Sequence, residues 1–145
     1  MAVASAAAGA AAAGRRNVLG GALRVCCSGP KTTGYLRDGF CSAISGDSGS
    51  HVVCAVITRD FLSFTKARGN DLETPHPHFA GLIPGDRWCL CAGRWAEALE
   101  HGVAPPVVLE ATAERALKYV SLEALMAHAF KEKEGVDIAA SGMVA

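Results

Sequence analysis

A chain of 145 residues, half of them apolar and 19% charged, is the size of one domain and can bury a core without covalent staples. Fourteen basic residues balance fourteen acidic ones with no long run of either sign, which argues against a nucleic-acid groove and against a basic membrane-surface helix. No apolar run approaches the roughly 18 residues that a spanning helix requires.

Residues 1–16, an Ala/Gly-rich stretch closed by Arg15 and Arg16, read as a disordered leader. The leader carries no acidic residue, so a plastid or mitochondrial transit peptide stands as the alternative to a cytoplasmic protein. A single globular domain is expected over 17–134 and a flexible tail over 135–145.

The segment before Cys54 is rich in glycine and turns and resists assignment. HVVCAVIT at 51–58 has the length and β-branched content of a buried strand. Thr58 then caps a helix, RDFLSFTKAR, with Phe61, Leu62 and Thr65 on one stripe, Asp60 in its first turn, and Gly69 at its end. A long polar loop with prolines follows, of the kind that often carries function. WCLCA at 88–92 reads as the second strand. GRWAEALEHG reads as the second helix, with Trp95, Ala98 and Leu99 inward and Gly102 closing it. Pro105 and Pro106 stop the chain, VVLEAT at 107–112 reads as a third strand, and KYV at 118–120 offers a fourth. Ser121 caps a last helix with Leu122, Leu125, Met126 and Ala129 on one face. These elements predict an α+β fold, a compact two-layer α/β sandwich in which helices cover one face of a sheet of three or four strands.

Six cysteines, Cys26, Cys27, Cys41, Cys54, Cys89 and Cys91, raise the question of disulfides. The apolar content and the lack of a lysine- or arginine-led signal peptide favour reduced cysteines in an intracellular compartment. Cys89 and Cys91, two apart on a strand, lie roughly 6.6 Å from each other, too far for a bond that wants Cβ atoms near ~3.8 Å. With Cys54 they read as buried structural thiols, and no metal or cofactor is expected. Cys41 is the candidate reactive thiol, because it lies in a glycine-rich turn with the cation of Arg37 close by in sequence. His76 and His78 sit between prolines in a polyproline-like stretch that turns them in different directions; joined to Cys41 or a strand cysteine, one of them leaves a zinc site as an alternative. GDSGSH at 46–51 is similar to the serine motif of chymotrypsin-like proteases, but no histidine precedes Ser48 and no partner for His51 is visible, so it reads as a turn.

Three polar clusters remain: YLRDG, ARGND and PGDRW. Arg37, Arg68 and Arg87 offer forks for a carboxylate or phosphate, with Asp38, Asn70, Asp71 and Asp86 to orient them and Trp88 as an apolar wall. The plainer reading is that the aspartates cap turns and pair the arginines.

NVLGG, GYLRDGFC, HVVCAVIT, FTKARGNDL, PGDRWCLCAGRWAEAL and APPVVLEAT, in that order, resemble the family named domain of unknown function 2237, small proteins of bacteria and plants. The resemblance covers roughly residues 17–130 and implies a compact two-layer α/β sandwich; it brings no reaction, cofactor or catalytic residue with it. Three functions therefore stay open: a binding domain for a small anionic metabolite, a protein–protein adaptor without chemistry, and a thiol- or zinc-dependent enzyme around Cys41. The first is the expectation carried forward.

Overall fold

A computed structural model describes residues 15–29 and 31–131, so most of the expected leader and the tail lie outside the described residues. The apolar run is a strand, β1 (His51–Val56), with Val52, Val53, Cys54 and Ala55 all buried. Helix α1 (Arg59–Ala67) follows, and the Thr58 hydroxyl accepts a hydrogen bond from the Phe61 N–H at 3.1 Å, as the sequence predicts. Phe61, Leu62 and Thr65 form its buried stripe, and Gly69 takes a left-handed φ of 93° just beyond its end.

Strand β2 (Arg87–Cys91) runs antiparallel to β1, pairing Val56 with Arg87, Ala55 with Trp88, Cys54 with Cys89 and Val53 with Leu90. The register shifts between His51 and Val53, so that His51 opposes Cys91. Helix α2 (Ala92–Glu100) starts at the end of β2 with Cys91 as its N-cap, burying Ala92, Trp95 and Ala98. Helix α3 (Leu122–Ala127) is capped by the Ser121 hydroxyl. It buries Leu125, whereas Met126 is 53% exposed rather than on the inner face. Trp95, Phe61, Leu62, Val52, Val53, Leu90, Val107 and Leu125 form the centre of the core.

The chain is thus a mixture of helix and strand, but its sheet has two strands, not three or four. The expected third strand reduces to single bridges from Val107 to Ala55 and to Ala129, after which Leu109–Ala111 forms a 3-10 turn. The expected fourth falls within and just after a second 3-10 turn, Glu114–Lys118. The edges explain why. Pro106 has no N–H to add to a ladder, and the Cys54 N–H donates to the Thr112 hydroxyl at 3.1 Å instead of to a strand carbonyl. On the outer edge of β2 the Cys89 N–H donates to the Thr33 hydroxyl at 2.8 Å. Side-chain oxygens thus occupy donors that a third and a fourth strand would need.

The expectation of reduced cysteines is overturned. Cys26 bonds to Cys54 and Cys41 to Cys89, with Cα separations of 5.8 and 5.3 Å. The strand argument correctly keeps Cys89 from Cys91; it says nothing of cysteines brought in from the irregular segment before β1. Sulfurs of Cys26, Cys41 and Cys54 lie within 4.8 Å of one another, and together with Cys89 and Ala111 they make a second, smaller buried cluster. Cys41 is fully buried and bonded, so it is not a reactive thiol. The argument for a reducing compartment falls with it.

Among the described residues no helix is long and apolar enough to cross a membrane.

Candidate functional site

Beside β2 lies an open cleft of about 490 Å³, and its walls come from five parts of the chain. Trp88, Leu90 and Cys91 come from β2, His51 from the start of β1, and Asn70, Asp71 and Leu72 from the turn after α1. The remaining wall is the segment 34–37 and the loop bearing His76, His78 and Phe79. A neighbouring hollow of about 410 Å³ shares Arg37, His78, Phe79 and Trp88 and adds Lys31 and Thr32. Arg37 and Trp88 therefore stand on the ridge between two concave surfaces.

Arg37 is held there by a tight turn. Its backbone N–H and its Nη1 both donate to the Gly34 carbonyl at 2.9 Å, and its φ is 56°. A Cβ at Gly34, itself at φ 103°, would collide with the Phe40 carbonyl, so only glycine permits this approach. The Arg37 guanidinium lies 5.2 Å from the Trp88 ring centroid, a cation–π distance. Phe79 meets Trp88 edge-on at 5.3 Å, and His76 packs on Phe79 at 5.2 Å. The His76 and Phe79 backbones exchange two hydrogen bonds, a closed turn in place of the expected polyproline stretch.

Next to the cleft-lining His51, the Asp47 side chain is 2% exposed and grips His51 twice. Asp47 Oδ2 accepts from the His51 backbone N–H at 2.9 Å, and Oδ1 lies 2.7 Å from the ring Nδ1. A Cβ at Gly49 would lie 2.6 Å from the ring Cε1, so the imidazole is seated directly on that glycine. Ser50, between them, has a φ of 49° and its hydroxyl lies 2.9 Å from the Tyr119 hydroxyl. Ser50 and Arg37 are the two non-glycine residues at positive φ among the described residues; Arg37 lines this cleft and Ser50 immediately precedes His51, which does. Backbone strain of this kind gathers at functional sites.

Residues 16–129 match the family model described as "Uncharacterized protein conserved in bacteria (DUF2237)". The chain belongs to the DUF2237 family. No curated protein matches it.

Within this DUF2237 domain the expected ligand residues divide. Arg37, Asn70, Asp71 and Trp88 meet at the cleft. Asp38 instead caps its own turn, accepting from the Phe40 N–H at 3.0 Å. Asp86 pairs with Lys31 at 2.7 Å and accepts from the Ile83 N–H. Arg68 is turned to Glu97, at 3.3 Å, with its guanidinium also over the Phe64 ring. Arg87 packs over Phe130. Asp71 touches the cleft but is occupied by its own loop: the Thr74 hydroxyl donates to it at 2.6 Å, and the Glu73 and Thr74 amides donate as well. These bonds, the Thr74 hydroxyl foremost, hold its carboxyl below the ordinary value of 3.8.

Two cleft residues, Cys91 and His51, and the Asp47 that holds His51 went unread in the sequence. Cys91 is a free, half-buried thiol rather than a closed interior one, because the strand ends on it. Asp47 and His51 lie inside the GDSGSH segment read as a turn; the one available signal was an acid four residues before a histidine at a strand start.

Proposed function

We propose that the DUF2237 cleft binds a small molecule carrying a carboxylate or phosphate next to an apolar or planar portion. The observation that carries this reading is Arg37. Among the described residues no carboxylate pairs with it and it lines the cleft, whereas of the other two expected arginines Arg68 is paired with Glu97 and Arg87 lies over Phe130, outside the cleft lining. One of its N–H groups is used on Gly34, which leaves the rest of the fork open over the cleft. Trp88, Phe79 and Tyr35 supply apolar walls of the kind that bury the body of a ligand. Of the three arginines expected to act together, Arg37 is the one this reading retains.

A titration of Trp fluorescence against a panel of dicarboxylates and phosphomonoesters tests it, since Trp88 borders the cleft while Trp95 is fully buried. At least one anion is expected to saturate the signal, and Arg37→Ala to weaken it by about tenfold or more, the size of a lost charge-assisted bond. No saturable anion, or an affinity indifferent to Arg37→Ala, would overturn the reading. Arg68→Ala serves as the control, with no change expected.

A further inference from the structure

We infer that Cys91, His51 and Asp47 form a nucleophilic thiol site in this same cleft, directed at esters or thioesters whose acyl part carries a carboxylate. The anionic preference rests on the Arg37 reading above; the thiol chemistry does not.

The geometry supplies the three roles in order. Cys91 is one of two free cysteines among the described residues and lines the cleft. His51 is its partner across the antiparallel pair and lines the same cleft. Directly opposed strand residues hold their Cβ atoms about 4.5–5.5 Å apart, so a rotamer change of Cys91 alone brings the thiol toward the imidazole that Asp47 holds in place. No hydrogen bond joins them among the described residues, as is common before substrate binds. Buried Asp47 occupies Nδ1, which leaves Nε2 as the nitrogen to accept a proton, in a side chain 41% exposed. The register shift beside His51 is the irregularity that places it opposite Cys91.

A fourth part comes from α2. Cys91 is its N-cap, and its sulfur lies 3.9 Å from the position a Cβ on Gly93 would take, over the first turn. The Ala92 N–H is bonded to the Ser50 carbonyl, but the Gly93 and Arg94 amides belong to the first turn, whose donors have no acceptor within the helix. In the proposed step these two amides are the donors that would receive an oxyanion developing next to the sulfur.

The step balances without a cofactor. The Cys91 S–H proton passes to His51 Nε2 as the sulfur bonds to the carbonyl carbon. The bond from that carbon to the alcohol or thiol leaving group breaks, and His51 returns the proton to the leaving group. Water, deprotonated by His51, then attacks the acyl carbon, the carbon–sulfur bond breaks, and His51 returns the proton to the Cys91 sulfur, releasing the carboxylic acid and the thiol. Asp47 is a positioning residue: it fixes the tautomer and aim of His51 and touches no reacting atom.

The test uses the full chain with its disulfides intact and the para-nitrophenyl half-ester of succinate, with the neutral acetate ester alongside. Nitrophenolate release gives the rate and peptide mass mapping locates the acyl group. Acylation at Cys91 is expected to outrun that at Cys27 by about a hundredfold or more, the usual contribution of a positioned base. His51→Gln should remove that advantage and leave Cys27 unchanged. Asp47→Asn should lower kcat with KM for the half-ester held, which a purely structural role would not do. If His51→Gln fails to fold, Cys91→Ala supplies the decision, abolishing the fast phase while fluorescence still reports succinate binding. Equal acylation of Cys91 and Cys27, or a Cys91 rate indifferent to His51→Gln, would overturn the inference. Succinate bound through Arg37 with Cys91 unreactive would leave the binding reading standing alone. Fast, His51-dependent acylation by both esters alike would uphold the thiol site and remove the anionic preference.

Discussion

The segment from 51 to 100 and the segment from 15 to 50 belong to one domain and are held by different forces. The first contains both strands and two of the helices, and its order follows from period and caps: a β-branched run, a three-residue stripe on α1, and a fully buried Trp95 whose indole donates to the Pro105 carbonyl at 3.0 Å. Among its described residues the second has no strand or helix of its own. Two disulfides tie it to the strands, Cys26 to β1 and Cys41 to β2. Asn17, 4% exposed, ties it further by donating to the Ala22 and Glu110 carbonyls and accepting from the Leu19 and Gly21 amides. A region without hydrophobic periodicity cannot gain enough from burial to order itself, so covalent links and buried amides do the ordering. That same irregular region delivers Arg37 to the cleft and Asp47 to His51, while the regular one delivers Trp88, His51 and Cys91.

The largest expected effects fall one in each region. Trp95→Ala should lower unfolding free energy in urea by about 3–5 kcal/mol, the cost of emptying an aromatic core position. Replacing Cys41 and Cys89 together by alanine should cost about 4 kcal/mol, from a loop closed over 48 residues. Hydrogen exchange sharpens the contrast: the second variant should lose protection first in 15–50, and uniform loss across β1 and β2 would contradict the division. Asn17→Ala is expected to cost about 1–3 kcal/mol, since it leaves buried backbone groups without partners. The smallest effect concerns Asp71. Its folded value lies below 3.8, so the stabilisation it confers is present above that ordinary value and is lost as pH falls through the lowered one. A carboxyl-carbon NMR titration should show a midpoint below 3.8, and Thr74→Val should move it back up.

The candidate site was half legible. Arg37 and Trp88 were visible as members of polar clusters bordering a long loop, and both line the cleft. Arg68 and Arg87 belong to clusters of the same appearance, yet the structure turns them toward Glu97 and Phe130. Nothing in a local pattern separates an arginine with an acidic partner from one without, because the partner lies 29 residues away in the case of Arg68. The dyad was hidden for a related reason. Asp47 reaches His51 only because Ser50 adopts a left-handed backbone and Gly49 leaves room for the ring, neither of which a turn-like composition specifies.

Local chemistry alone determined β1, β2, the capped helices α1 and α3, α2, and the family, because strand runs, helix stripes and capping hydroxyls act over a few residues. The number of strands, the state of four cysteines and the meeting of Cys91 with His51 were decided by the tertiary structure. Each depends on which distant group arrives first at an open donor or sulfur: the Thr112 and Thr33 hydroxyls at the sheet edges, Cys26 and Cys41 at the strand cysteines, and a one-residue shift of register at the rim of the cleft.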